Sequence, residues 1–237
     1  GKRIRFKYWE FEFYKMIKKG DFIEIDFVGR IKDSGAIFDL TKKDVAEKEK
    51  IVNKSADYSP RIICIGNGDV VGGLDDFLVG KEVGKSYDTD LDVENSFGKK
   101  EAKLIKMMPL STFKKQKMKP FPGLQVNIDG TYGTIRTVSG GRVLVDFNHP
   151  LSGKELHYDI DIKKEIKDDA VKIKSVLKSL ISRDVDCKIV DGTAEVDLDL
   201  PEQFQKMLEE KICELVKGVK KINFGKPSEK KELKNKK

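Results

Sequence analysis

The stretch RVLVDFNHPLSGKELHYDIDI, residues 142–162, restricts the fold more than any other part of the chain. Its second half alternates Leu156, Tyr158, Ile160 and Ile162 with Glu155, His157, Asp159 and Asp161. That two-residue period belongs to a strand with one buried face, so Tyr158 is expected to point inward. DFIEIDFVGRI repeats the period, with Gly29 breaking the run at a bulge or bend. KSYDTDLDV sets Tyr87, Thr89, Leu91 and Val93 on one parity. In VVGGLDDFLVG a glycine pair leads into Val71, Leu74, Phe77 and Leu78 at the spacing of one short amphipathic helix. Alternating strands around one short helix predict an antiparallel α+β domain whose sheet packs on that helix.

The pattern changes after Gly98. Pro109, Pro120, Pro122, Gly123 and the pairs Asp129-Gly130 and Gly140-Gly141 separate short alternating segments, which read as a small all-β module inserted in the first domain, residues 101–149. Beyond residue 167, apolar Val171, Ile173, Leu177 and Leu180 predict a helix over 168–181. VDCKIV, Asp191-Gly192 and TAEVDLDL form a hairpin. Pro201 opens a second helix carrying Phe204, Met207, Leu208, Ile212 and Leu215, and VKKINF adds a strand. This C-terminal α/β region, residues 168–225, is too short to bury much by itself. A homodimer packed through it is therefore expected.

The formal charge of +7 belongs to the ends. Residues 1–20 carry seven basic and two acidic groups and residues 226–237 six and two, which leaves −2 for everything between. A mildly acidic body makes nucleic acid an unexpected partner, and the lysine-rich end reads as a solvated, disordered tail. Residues 1–15 read as an uncertain arm. Cys64, Cys187 and Cys213 are odd in number and far apart, which fits free thiols in a reducing compartment. Charged residues interrupt every apolar run, so neither a membrane span nor a secretory leader is expected, and the expected location is the cytoplasm. The only histidines are His149 and His157, one in a turn and one on a strand surface, and no metal site or cofactor is expected.

In order, DFVGRI, IFD, ICIGNGDVVGGLDDFLVGKEVGKSYDTDL, ENSFG and a strand with an inward aromatic resemble the FKBP-type peptidyl-prolyl cis-trans isomerases. The segment between ENSFG and LHYDI is similar to the insert-in-flap domain of the SlyD-like subgroup, with DFNHPLSGKEL closing it. The region after residue 167 is similar to the long archaeal forms. The resemblance implies an isomerase domain over residues 1–100 and 150–167, and it is carried by residues 17–165.

Carried over position by position, the family's pocket falls on Phe27, Phe38, Asp39, Ile65, Val70, Val71, Leu74, Phe97 and Tyr158. Leu74 takes the floor, where many relatives have Trp. Val71 supplies the N–H that in the family binds the carbonyl next to proline, and Asp39 orients its neighbours. Phe27 and Phe97 stand where the family usually has Tyr, removing hydrogen bonds worth about 0.5–1.5 kcal/mol each. A slow isomerase with weakened macrolide affinity is the expectation. The chemistry needs no covalent step, because planarity rests on amide resonance, a barrier of about 18–20 kcal/mol that a dry apolar pocket can lower by favouring the less dipolar twisted state.

Met107, Met108, Leu110, Phe113, Met118, Phe121 and Leu124 crowd the first half of the insert, more than a small module can hide. Flexible thioethers and aromatics on an open surface suit unfolded, proline-containing polypeptides as partners. Three functions stay open on sequence: an isomerase with a chaperone insert, a holdase whose pocket has decayed, and an RNA or ribosome adapter using the basic ends.

Overall fold

The structure is a computed structural model, and it describes residues 15–225. The arm up to residue 14 and the tail from residue 226, and with them the adapter reading, lie outside the described residues. In chain order the elements begin with strands β1 (Phe22–Ile31) and β2 (Ile37–Leu40), helix α1 (Lys43–Lys48), strand β3 (Arg61–Cys64), helix α2 (Gly72–Leu78) and strand β4 (Ser86–Leu91). The insert follows with β5 (Ile105–Pro109), α3 (Leu110–Lys115), β6 (Gln125–Ile128), β7 (Thr131–Ser139) and β8 (Arg142–Asp146). Then come β9 (Leu156–Glu165), α4 (Asp169–Ile181), β10 (Cys187–Val190), β11 (Thr193–Asp197), α5 (Glu202–Leu215) and β12 (Lys221–Gly225). A five-stranded sheet runs β2-β1-β9-β4 with β3 added on β1, and two further sheets have the orders β5-β8-β7-β6 and β10-β11-β12. The fold is mixed α+β, as the periodicities predict, and β1 continues through Gly29 to Ile31.

The chain divides into two compact units. Of the described residues, one contains those up to Val28, Asp39–Asp88 and those from Tyr158; the other contains Gly29–Phe38 and Thr89–His157. In the first, β3 pairs antiparallel with β1, Phe22 opposite Cys64 and Ile25 opposite Arg61. α2 is short, yet it buries Leu74 and Leu78.

Residues 168–225 belong to this same unit. One apolar core joins Ile173, Val176 and Leu177 of α4, Ala194 and Val196 of β11, and Leu208 and Ile212 of α5 to Phe22 and Cys64. The region thus buries part of its apolar surface inside the chain, while Val190 stays 56% exposed. Each large side chain so buried contributes roughly 1.5–3 kcal/mol. Asp168 caps α4 by accepting from the Ala170 N–H at 2.8 Å. Asp191 and Gly192 both have positive φ, 48° and 74°, the geometry of a tight hairpin turn. Three residues expected on buried helix faces, Leu180, Phe204 and Met207, are instead exposed, because the helices turn neighbouring positions inward.

In the second unit the four-stranded insert packs Phe113, Val126, Ile135, Val143 and Val145 together. It is not purely β: α3 follows Pro109, whose φ of −66° leads into a helical turn, and its Phe113 plugs the core. β7 shifts register between Ile135 and Thr137. At that bulge Arg136 reaches Asp146, donating from Nη2 at 2.7 Å.

Candidate active site

Phe27 lies near the middle of β1 and Tyr158 near the start of β9, and both side chains are almost fully covered, 2% and 5% exposed. Their rings stand 6.1 Å apart and tilted by 54°. The two rings form a buried aromatic pair that is shielded from water. Burial first, and the Asp39 carboxylate second, push the Tyr158 phenol up to about 12, against a smaller opposing pull from Arg61. The phenol is therefore neutral at every physiological pH.

Thr41 holds the end of β2 against β1. Its hydroxyl accepts from the Phe27 N–H at 2.9 Å and donates to Asp26 at 2.8 Å, while its own N–H donates to the Phe27 carbonyl at 3.0 Å. Asp39, two residues before Thr41, accepts from Arg61 Nη1 at 3.1 Å. The Arg61 guanidinium also covers the Phe27 ring, 4.9 Å from its centroid. So Asp39 is oriented by an arginine rather than by the hydroxyl that Phe27 lacks.

Asp75, on α2, accepts from the N–H groups of Gly66 at 2.9 Å and Gly68 at 3.4 Å. Asp69 accepts from the Cys64 N–H at 2.7 Å. These bonds fix the loop that carries Ile65 and Val70. Ile65 and Leu74 are fully buried, and Val70 and Val71 are half-buried. Val71 caps α2, its carbonyl accepting from the N–H groups of Leu74 at 2.9 Å and Asp75 at 3.0 Å, and its own N–H has no partner among the described residues.

Seven of the nine expected pocket residues thus lie in one unit. Phe38 and Phe97 belong to the other, where Phe97 stacks on His149 with centroids 4.2 Å apart. Sequence reasoning missed Arg61 and the work of His149. The β1–β3 register that places Arg61 two positions short of Phe27 is the signal for the first; nothing in local pattern marks the second.

In the insert, Met107 and Phe121 are open, 60% and 56% exposed. Phe113 is not a contact for clients: it is core, as its 1% exposure shows. Met108, Leu110, Met118 and Leu124 are half-covered because they pack on that core. Tyr132, 74% exposed, is an apolar surface residue that the sequence did not single out. Among the described residues no group of three His, Cys, Asp or Glu side chains is arranged to hold a metal, and no helix is long and apolar enough to cross a membrane.

A family profile for FKBP-type peptidyl-prolyl cis-trans isomerase matches residues 14–114, and one for the FKBP26 IF domain matches residues 106–151. The chain is 30% identical over 148 residues to a short-type peptidyl-prolyl cis-trans isomerase of Methanocaldococcus jannaschii, covering 62% of this chain and 93% of that protein. It is 29% identical over 121 residues to a probable FKBP-type 16 kDa isomerase of Pseudomonas fluorescens, 49% of this chain and 79% of that one. With the FKBP-type isomerase SlyD of Aeromonas hydrophila it shares 27% identity over 119 residues, 49% of this chain and 56% of the other.

Proposed function

We propose, from the premise that this chain belongs to the FKBP-type peptidyl-prolyl cis-trans isomerase family, that it accelerates rotation about X-Pro bonds in unfolded polypeptides and holds those polypeptides on its insert. The observation that carries the reading is the covered Phe27–Tyr158 pair, with Asp39 fixed beside it by Arg61. A proline ring gripped against this pair leaves its preceding carbonyl without water. The planar, dipolar amide loses more from that than the twisted state does, so the barrier falls without any bond being made. Val71, whose N–H is unengaged among the described residues, donates to a client carbonyl and fixes its pose. Asp39 orients the arginine and exchanges no proton.

The holdase reading rests on Phe27 and Phe97 standing where hydroxyls are usual. It weakens because the bond that Phe27 cannot make to Asp39 is replaced by one from Arg61. Exposed Met107, Phe121 and Tyr132 support the chaperone part, since a client held there meets the pocket at an effective concentration on the order of millimolar. A protease-coupled assay on a short proline peptide, with the wild type and Tyr158→Leu, separates the readings. Isomerase activity predicts a rate above the spontaneous one that drops in the variant; equal background rates in both leave only the holdase.

A further inference from the structure

We propose that the insert selects acidic clients, unfolded segments in which carboxylates lie close in sequence to aromatic or aliphatic side chains. This rests on the client-holding part of the reading above. Between Glu101 and Asp129 the chain carries Lys103, Lys106, Lys114, Lys115, Lys117 and Lys119 and no acidic residue. Residues 101–149 hold eight basic side chains and three acidic ones, whereas the rest of residues 21–225 holds seven more acidic than basic groups. The positive charge is therefore local to the insert and is set against an acidic body.

That charge is concentrated between α3 and β6. Phe113 and Met118 anchor this segment in the insert's core, and the Met118 N–H donates to the Phe113 carbonyl at 2.9 Å. Its far end is held by the Ile135 N–H, which donates to the Leu124 carbonyl at 2.9 Å. Lys114, Lys115, Lys117 and Lys119 are all exposed between these anchors, and the exposed ring of Phe121 follows two residues after Lys119. None of the four ammonium groups has a partner among the described residues. The insert's own carboxylates do not neutralise them: Glu101 pairs with Lys103 at 2.5 Å, Asp146 pairs with Lys100 and Arg136 at 2.9 and 2.7 Å, and Asp129 sits in the β6–β7 turn. Four uncompensated cations beside an open aromatic disfavour a cationic segment and favour one that brings carboxylates. A polypeptide fits better than a nucleic acid, because residues 102–128 contain no arginine, the side chain that grips phosphate by a fork, while Met107 and Phe121 offer apolar surface.

The test is fluorescence anisotropy with the full chain and three unfolded peptides that share one pattern of Phe, Leu and Pro and carry Glu, Gln or Lys at the remaining positions. At low salt the Glu peptide is expected to bind roughly tenfold more tightly than the Lys peptide, with the ratio falling toward one at high salt. Lys114→Gln, Lys115→Gln and Lys119→Gln combined should remove most of that ratio, and the three matching changes to Arg should keep it. If the Gln variant does not fold, the wild-type salt dependence decides. Equal affinity for the three peptides, or a ratio that salt and the Gln variant leave unchanged, overturns the charge preference and leaves client holding in place. No binding of any peptide overturns both. An RNA oligonucleotide bound more tightly than the Glu peptide at the same salt also overturns the proposal.

Discussion

His149 lies flat against Phe97, the two planes within 6° of parallel and the centroids 4.2 Å apart. Phe97 is one of the residues carried over to the pocket, and His149 stands three residues beyond the last strand of the insert. The neighbouring chain is clamped as well: Asn148 bonds the Glu101 N–H at 2.8 Å and its carbonyl at 3.1 Å, and the Ser152 hydroxyl donates to the Phe97 carbonyl at 3.1 Å. Such a stack is worth about 0.5–1.5 kcal/mol. Replacing His149 with Ala should therefore destabilise the second unit by about 0.5–1.5 kcal/mol, and His149→Phe should retain most of that contribution. An unchanged denaturation midpoint in His149→Ala would show that the stack contributes nothing.

A desolvation mechanism predicts a flat pH profile. Tyr158, pushed up to about 12 chiefly by burial and then by Asp39, remains a neutral phenol across the working range. Because its folded value is raised, the stability it contributes is present below the unfolded value and is lost only as pH climbs through the folded one. kcat/KM should stay constant within about twofold between roughly pH 6 and 9. A bell-shaped profile with limbs in that window would require a proton-transferring group that this account lacks.

Asp146 ties the insert together. Its nearly buried carboxylate accepts from Lys100 at 2.9 Å, from Arg136 at 2.7 and 3.0 Å and from Asn148 at 2.8 Å. Burial pushes its pKa up, but the bonds from Asn148, Lys100 and Arg136 more than reverse this and hold it well below the usual carboxylate range. Asp146→Ala should destabilise the insert by about 3 kcal/mol, since the remaining cations lose their partner. With a depressed folded value, the stabilisation is present above the unfolded value near about 4 and fades as pH falls below it. Hydrogen exchange of the β7 and β8 amides reads both effects, and protection unchanged in the variant would contradict them.

For the insert's surface, Met107→Lys, Phe121→Ser and Tyr132→Ser together should slow refolding of a proline-limited protein several-fold while short-peptide turnover stays near wild type. All three side chains are exposed, so the cost in stability should be small. Refolding at the wild-type rate would remove the chaperone role from this face.

Strand periodicity made much of the fold legible. Tyr158, Ile160 and Ile162 face inward as their alternation requires, and the Asp129-Gly130, Gly140-Gly141 and Asp191-Gly192 turns fall where the residue pairs place them. Helix faces were read less well, because Leu180, Phe204 and Met207 satisfy the apolar spacing yet remain outside. What covers a helix depends on partners distant in sequence, and here those are Phe22 and Cys64. The same reason hides Arg61. Its partner Asp39 is 22 residues away, and their meeting depends on β3 docking on β1 in one register. Composition gave the insert more apolar residues than a small module can hide, but whether Phe113 fills a core or meets a client is decided by the turn of helix after Pro109.

The central claim is that an aromatic pocket turns an X-Pro bond without proton transfer or covalent chemistry. Exchange spectroscopy on a short proline peptide measures that rotation with no coupling protease. Addition of the wild-type chain should speed interconversion of the cis and trans signals well beyond the spontaneous timescale of roughly tens to hundreds of seconds, with Tyr158→Leu returning it most of the way. Interconversion at the spontaneous rate in the presence of folded wild-type protein would contradict the account.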